Sequence, residues 1–193
     1  MQDKMDLLMV GVGGQGILLA SELTAMAAFE AGMDVKKSEV HGMAQRGGVV
    51  SSHIRLGKKV HSPLIQCGDA DVLLAFEQAE ALRWIHFLKE KGHVVVNIMT
   101  LVPPVGFLKN FEYPRDTLKR IQEHPVSVHP VHAAKIAYEL GSSRIVNMVL
   151  IGVLSNFLGI SKEIWQTAIK KRVPDGTEEI NMRAFDAGVS AIS

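Results

Sequence analysis

Residues 7–16 read Leu7-Leu8-Met9-Val10-Gly11-Val12-Gly13-Gly14-Gln15-Gly16. Leu7–Val10 is a short apolar run of the kind that is buried on both faces of a parallel sheet. The glycines match the pattern G-x-G-x-x-G, and Ile17–Ala31 after them is rich in strong helix formers and stops at Gly32. A strand, a glycine-rich turn and a helix in this order predict the first part of a βαβ unit.

The rest of the chain alternates between short apolar runs and amphipathic stretches. The further predicted strands are Asp34–Val40, Val49–Leu56, Val72–Phe76 and Val94–Ile98, with a hairpin turn at Gly57-Lys58-Lys59 leading into Val60. The further predicted helices are Gln78–Lys91, Val131–Leu140, Arg144–Leu158, Lys162–Arg172 with Ser161 as N-cap, and Glu178–Gly188. This alternation predicts one domain over residues 1–193, a Rossmann-like three-layer α/β/α sandwich with a mostly parallel sheet. The helix Arg144–Leu158 is apolar almost all round, which predicts burial in the core or against another chain.

Composition excludes several classes of protein. The 193 residues carry 21 Lys+Arg against 20 Asp+Glu, a formal net charge of +1, and 47% of them are hydrophobic. This balance argues against a nucleic-acid or membrane-surface binder, and no segment is long and apolar enough to span a bilayer, so we expect a cytoplasmic protein. The single cysteine, Cys67, excludes a disulfide framework and a self-ligated iron–sulfur cluster, and we expect it to be buried as a small hydrophobe.

The glycine-rich turn is the first candidate binding site. Glycines permit a close approach of the backbone, and the free N–H groups at the start of the following helix favour an anionic ligand. The candidate residues of this turn are Gly11, Gly13, Gly14, Gln15 and Gly16. The alternative is a turn that serves only the close packing of helix on strand.

A second glycine-bearing loop follows the next predicted strand. Ligands of α/β sheets bind beside the carboxyl ends of the strands, and an arginine among small residues can hold a carboxylate or phosphate. The candidates here are Ser38, His41, Gln45, Arg46 and Gly47. The alternative is a surface loop whose arginine forms a structural ion pair.

Several motifs together resemble one family. They are GVGGQG at 11–16, SEVHGMAQRGG at 38–48, His53-Ile54-Arg55, Ser62-Pro63-Leu64-Ile65, the stretch Ala70–Glu77, and Asn181–Gly188 near the C-terminus. The sequence is similar, over nearly its whole length, to the small γ-type subunit or domain of the 2-oxoacid:ferredoxin oxidoreductases. The most similar branch is the β subunit of indolepyruvate:ferredoxin oxidoreductase, and the implied fold is that of domain III of pyruvate:ferredoxin oxidoreductase.

The resemblance implies a role in a larger complex. Such a complex oxidatively decarboxylates arylpyruvates to aryl-acetyl-CoA and passes the electrons to ferredoxin. In this family the large α subunit carries thiamine diphosphate, Mg²⁺ and the 4Fe–4S clusters, and coenzyme A is the co-substrate. The resemblance therefore implies that this chain holds no firmly bound cofactor, is inactive alone and pairs with the α subunit. If the apolar helix Arg144–Leu158 faces another chain, we expect the isolated chain to pair with a second copy of itself.

Other functions find less support in the residues. An NAD-binding site expects Asp or Glu about 20 residues after the glycines, where this chain has Lys36 and Lys37, which leaves an autonomous NAD(P)-dependent oxidoreductase as one alternative. A non-catalytic assembly module is the other. Gly68-Asp69-Ala70 with Asn97 resembles a thiamine diphosphate motif only by coincidence, because alanine replaces the third glycine. The eight histidines show no spacing typical of a metal site.

Overall fold

The structure, a computed structural model, describes residues 4–41, 48–101 and 113–192. Its strands are β1 (Lys4–Val12), β2 (Asp34–His41), β3 (Val49–Gly57), β4 (Ala70–Ala75), β5 (Leu88–Asn97) and β6 (Ser127–Val131). Its helices are α1 (Ile17–Glu30), α2 (Gln78–Trp84), α3 (Thr117–Gln122), α4 (Ala133–Glu139), α5 (Val146–Leu158), α6 (Lys162–Arg172) and α7 (Glu178–Val189). Short 3₁₀ turns cover Ile85–Phe87, Ser143–Ile145 and Ser190–Ile192.

The six strands form one sheet in the order β2-β3-β1-β4-β5-β6. Strands β1, β4, β5 and β6 run parallel, and β3 is antiparallel to both of its neighbours. The predicted mostly parallel sheet is therefore confirmed. The predicted βαβ unit needs a correction, because β3 is inserted between β1 and β2.

Helices cover both faces of the sheet. One face packs against α1, α4, α5, α6 and α7 through a core that includes Leu7, Met9 and Leu74. The alternate residues of the same strands, such as Leu8 and Leu73, face α2 and α3. This alternation follows from the period of two of a β-strand, and it produces the predicted three layers.

Helix α5 is the centre of the larger layer. Met148–Ile151 are fully buried. Of the two placements predicted for this helix, in the core or against another chain, burial in the core is therefore confirmed for these residues. At Gly152 a Cβ atom would lie 2.1 Å from the carbonyl oxygen of Phe185 in α7, so glycine is needed for the close approach of the two helices.

Four local predictions are wrong. No strand follows Gly57 at Val60, because both antiparallel partners of β3, namely β1 and β2, precede it in the chain. The helix from Gln78 ends at Trp84, and residues 88–92 join β5 through a bulge against β4. Val131 ends β6, an edge strand that tolerates Pro130, and the helix begins only at Ala133. Cys67 is exposed, since it lies in the loop before β4 rather than in the core.

Ser161 occupies the N-cap position of α6 (Lys162–Arg172), as predicted, but its side chain makes no capping hydrogen bond. Within the described residues, none of the helices has the length and apolar character that a membrane crossing requires.

Candidate functional site at the carboxyl edge of the sheet

The glycine turn connects the buried strand β1 to α1. The N–H of Gly13 donates to the carbonyl oxygen of Gly48 at 2.8 Å, which ties the turn to the start of β3. Gly16 is the N-cap of α1 with φ +81°, a left-handed conformation that favours glycine. Its lack of a side chain leaves the first N–H groups of α1 without a side-chain cap, and the first turn holds no acidic residue. The positive end of the helix dipole is therefore compensated neither by a side-chain cap nor by an acidic residue in the first turn of α1.

Gln15 holds the turn in place. Its Oε1 accepts from the N–H of Val12 at 2.7 Å, and its Nε2 donates to the carbonyl oxygen of Phe76 at 3.2 Å. A Cβ atom on Gly11 would lie 2.6 Å from Gln15 Oε1 and 2.8 Å from Phe76 Cβ. Gly11 and Gln15 thus fit the turn against the end of β4.

Asn97, the last residue of β5, also contacts the carbonyl oxygen of Phe76. Its Nδ2 donates to Phe76 O at 3.2 Å and lies 3.8 Å from the sulfur of Met99. Its Oδ1 is buried and accepts from no group that the structure describes. Asp69 lies before the first residue of β4, at the opposite end of that strand, so it and Asn97 are not brought together, as expected if their spacing is coincidence.

A cavity of about 380 Å³ lies beside these groups. Its lining consists of Gly14, Gln15, Gly16, Phe76, Asn97, Met99, Ser143, Arg144, Val146 and Asn147. The glycine turn thus forms one wall, and the start of α5 forms another. Asn147 lies close to the turn, since a Cβ atom on Gly16 would lie 2.6 Å from Asn147 Nδ2.

The predicted site residues fall into three groups. Gly14, Gln15 and Gly16 line the cavity, and Gly11 and Gly13 support the turn. The end of β2 at His41 is level with Gly11 but two strands away. Ser38 is three residues further down that strand and is not among the lining residues. Gln45, Arg46 and Gly47 lie outside the described residues.

Sequence reasoning missed the contribution of α5. Arg144 is exposed at the cavity, and Asn147 is a buried polar residue at the start of an apolar helix. A polar side chain that interrupts an apolar run next to a helix N-terminus was the available signal. Sequence reasoning treated Asn97 only as part of a coincidental thiamine diphosphate motif and therefore overlooked its position at the carboxyl end of β5.

Glu77 anchors the segment that follows the cavity. Its buried carboxylate caps α2, with Oε2 accepting from the N–H groups of Ala79 and Glu80 at 2.7 and 3.1 Å. Oε1 accepts from the N–H of Leu101 at 3.3 Å and from the hydroxyl of Tyr113. Burial, together with the bond to this carboxylate, raises the pKa of Tyr113, so the phenol stays a donor. These bonds hold the residues on both sides of 102–112 against the end of β4.

The chemistry of the lining is that of binding. The part of the lining that the structure describes contains carboxamides, one guanidinium and backbone N–H groups, but no His, Cys, Asp or Glu. Over the described residues there is also no group of three or more side chains suited to a metal ion. These described lining residues therefore offer groups that hold an anion and none typical of a general base.

Comparison with known proteins gives the same fold and names a family. The chain is 41% identical to "Indolepyruvate oxidoreductase subunit IorB" of Thermococcus kodakarensis, over 96% of this chain and 95% of that protein. It is 30% identical to "2-oxoglutarate synthase subunit KorC" of Methanothermobacter marburgensis, over 92% of this chain and 91% of that protein.

Among solved structures, the γ subunit of a keto/oxoacid ferredoxin oxidoreductase from Geobacter sulfurreducens matches with a TM-score of 0.73 and 25% identity, over 97% of this chain and 98% of that one. A 2-oxoglutarate:ferredoxin oxidoreductase from Magnetococcus marinus, solved with 2-oxoglutarate, coenzyme A and succinyl-CoA, shares the fold with a TM-score of 0.75 and 22% identity, over all of this chain and 31% of that one. The family model "Pyruvate ferredoxin/flavodoxin oxidoreductase" matches residues 6–191. The chain belongs to the pyruvate ferredoxin/flavodoxin oxidoreductase family.

Proposed function

We propose that this chain is the small, cluster-free subunit of an indolepyruvate-type 2-oxoacid:ferredoxin oxidoreductase in the cytoplasm. The observation that carries the choice of substrate class is the identity of 36–41% to four IorB subunits, against 30–32% to two 2-oxoglutarate synthase subunits. The reaction is oxidative decarboxylation of an arylpyruvate to aryl-acetyl-CoA, with the electrons passed to ferredoxin. Residues 1–193 act in it as one γ-type domain.

The redox groups of such a reaction do not fit this chain. A four-thiolate cluster needs more cysteines than Cys67, and the only pair similar to a thiamine diphosphate motif, Asp69 and Asn97, is split between opposite ends of neighbouring strands. In the proposed complex, as the family resemblance implies, thiamine diphosphate, Mg²⁺ and the 4Fe–4S clusters are carried by a large α subunit. The chemistry that these groups supply is the formation and oxidation of the decarboxylated carbanion.

The role of this chain is to bind and position a phosphate-bearing substrate, for which coenzyme A is the candidate. The support is the N-terminus of α1, which has no side-chain cap, beside a cavity whose described lining residues include no general base. Gly14 and Gly16 give the ligand access to the backbone, and Gln15 holds the turn. Arg46 on the neighbouring loop is a sequence-based candidate for a further charged contact, together with Ser38, His41, Gln45 and Gly47.

An autonomous NAD(P)-dependent oxidoreductase is disfavoured by the sheet. A dinucleotide fold places the second strand of the βαβ unit beside the first, whereas β3 separates β1 from β2 here. Lys36 and Lys37 are also engaged in ion pairs with Asp34 and Glu39 at 2.7 and 2.8 Å. Neither lysine is free to receive a ribose phosphate.

The test is purification from native extract with a tag on this chain. We expect a large subunit to co-purify, with absorbance from iron–sulfur clusters and ferredoxin reduction that depends on indolepyruvate and coenzyme A. The chain alone should be colourless and inactive. Ferredoxin or dye reduction by the isolated chain would overturn the proposal, and so would a complex that oxidises 2-oxoglutarate but no arylpyruvate. A complex whose activity is insensitive to changes at the glycine turn would favour the assembly-module alternative.

A further inference from the structure

Two helices begin at the same cavity. Gly14 and Gly16 lead into α1, while Val146 and Asn147 are the first residues of α5, and all four line the cavity. Neither helix has an acidic residue in its first turn, whereas α6 and α7 begin with Glu163 and with Glu178 and Glu179. Each helix N-terminus carries about half a positive charge, so two adjacent ones repel each other unless an anion lies between them.

A guanidinium adds to this positive charge. Arg144 lies in the turn before α5 and lines the cavity. Its own N–H is bonded to Ser142 Oγ at 3.2 Å, but among the described residues its guanidinium has no hydrogen-bond or ion-pair partner. An exposed arginine that is not used by the fold is available to a ligand.

The carboxamides of the lining are only partly used. The Oδ1 of Asn147 accepts from the N–H of Met148 at 2.9 Å, and its Nδ2 donates to no described residue. The side chain of Asn97 is 99% buried, its Nδ2 is fixed by Phe76 O, and its Oδ1 lacks a donor. A buried carbonyl oxygen without a donor is unfavourable, and a ligand N–H or O–H that reaches it removes this cost.

We propose that Arg144, Asn147 and Asn97 form one ligand site with the glycine turn, for a molecule that carries both an oxyanion and an N–H or O–H donor. Arg144, Asn147 Nδ2 and the two helix N-termini hold the oxyanion, and Asn97 Oδ1 accepts the donor. The oxyanion is either a phosphate of coenzyme A or the carboxylate of the 2-oxoacid. This assignment rests on the proposed function for its choice of ligands, but not for the site itself.

The first arm of the test uses the isolated full chain, with inorganic pyrophosphate and indolepyruvate as separate probes in isothermal titration calorimetry. Arg144→Ala should weaken binding of the preferred probe about 10- to 100-fold, the range of a charge-assisted bond, and Arg144→Lys should restore part of it. Arg120→Ala is the matched control, because Arg120 is exposed on α3 at the opposite face of the sheet. The probe that responds identifies the source of the oxyanion.

The second variant separates binding from structure. Asn147→Asp keeps the size of the side chain and places a carboxylate at both helix N-termini. It should raise or preserve the melting temperature and still weaken pyrophosphate binding at least about tenfold, because the carboxylate occupies the position of the anion. If Asn147 had a merely structural role, the substitution would not weaken pyrophosphate binding while the melting temperature is preserved or raised.

The second arm uses the reconstituted complex. Arg144→Ala should raise the KM of either coenzyme A or indolepyruvate about 10- to 100-fold with little change in kcat, the pattern of a lost binding contact. Probe binding and KM values unchanged in both Arg144→Ala and Asn147→Asp would overturn the site. If the complex oxidises no 2-oxoacid while pyrophosphate binding still depends on Arg144, the proposed function fails and the site stands.

Discussion

The two edges of the sheet use their polar groups in opposite ways. At the amino edge the buried carboxylate of Asp6 accepts two hydrogen bonds from Arg55, at 2.9 and 3.1 Å, and its backbone N–H donates to Asp71 Oδ2 at 2.6 Å. Arg55 also donates to the carbonyl oxygen of Leu64 at 3.0 Å. At the carboxyl edge Asn97 Oδ1 has no partner and the guanidinium of Arg144 has none among the described residues.

This difference distinguishes residues at the amino edge, which stabilise the fold, from residues at the carboxyl edge, which are available to bind a ligand. At the amino edge the buried carboxylate of Asp6 has both Arg55 and Lys4 as partners within the chain. The carboxyl edge keeps unfavourable groups, which a native structure tolerates where binding compensates for them. The amino edge should therefore govern stability, and the carboxyl edge should govern affinity.

The largest expected effect is at the amino edge. Asp6→Ala leaves the guanidinium of Arg55, whose side chain is 17% exposed, without its carboxylate. We expect the free energy of unfolding to fall by about 3–5 kcal/mol, the loss typical of breaking a buried ion pair. Urea unfolding followed by circular dichroism measures it, and pyrophosphate affinity of the folded protein should not change.

Lys4→Ala is the control for this variant. Lys4 pairs with the same carboxylate at 2.7 Å, but its side chain is 51% exposed. Its loss should lower stability by no more than about 1 kcal/mol. Equal effects of the two substitutions would show that burial of the pair does not decide its contribution.

A smaller loss of stability, combined with a loss of affinity, is expected at Gly16. Gly16→Ala forces an L-residue into φ +81° and places its Cβ 2.6 Å from Asn147 Nδ2. The strain should lower stability by about 1–2 kcal/mol, and the displacement of Asn147 should weaken pyrophosphate binding. Calorimetry and thermal unfolding of the same preparation measure both quantities.

Gly32 provides a matched comparison, since it has the same φ of +81° and a Cβ there meets nothing within 4 Å. Gly32→Ala should have a similar effect on stability and none on binding. If Gly32→Ala weakens pyrophosphate binding as much as Gly16→Ala does, the contact with Asn147 is not the cause.

The sequence predicted the layers well and the strand order poorly. Apolar runs and glycine turns indicate which residues are buried, so β2, α1 and α6 were predicted close to their true limits. The insertion of β3 between β1 and β2 depends on pairing over long distances, which local patterns do not record. Strand β6 was missed because Pro130 is typical of turns, and only its position at the sheet edge makes a proline acceptable there.

The candidate site was predicted on one side only. The glycine turn has a recognisable pattern because backbone conformation requires glycine at fixed spacing. Arg144 and Asn147 are separated from it by more than a hundred residues and are brought to it by the packing of α5, which periodicity predicts only as burial. The spacing of residues in the sequence therefore predicted the side of the cavity formed by the glycine turn and missed the side formed by Arg144 and Asn147.

A dependence on pH is expected from the amino side of the sheet. His53 is buried, its Nδ1 accepts from the N–H of Ile65 at 3.2 Å, and burial lowers its pKa below the ordinary value. The unfolded chain therefore binds a proton more readily, so stability is full above about pH 6.5 and falls as the pH drops below it. Burial lowers the pKa of His129 as well, which adds a contribution of the same sign.

Urea unfolding at about pH 7.5 and about pH 5.5 measures this loss. His53→Gln, which offers an amide oxygen to Ile65, should reduce the difference between the two conditions, and His61→Gln at the exposed His61 controls for the loss of an imidazole. An undiminished difference in His53→Gln would assign the pH dependence to other groups.

The smallest expected effect on stability is at Asn97, although the residue is almost completely buried. Asn97→Leu removes one hydrogen bond to Phe76 O, but that oxygen keeps its bond from Gln15 Nε2, and the acceptor without a donor disappears. The two changes nearly cancel, so stability should change by less than about 1 kcal/mol.

Asn181→Leu is the contrast, because Asn181 Nδ2 donates to Thr177 O and Oγ1 at 2.8 and 3.1 Å and its loss has no such compensation. If the carboxyl edge is kept polar for a ligand, Asn97→Leu should leave the melting temperature nearly unchanged and raise the KM of the substrate that Arg144→Ala identifies. A large loss of stability in Asn97→Leu would instead place Asn97 with Asp6, among the residues that hold the fold.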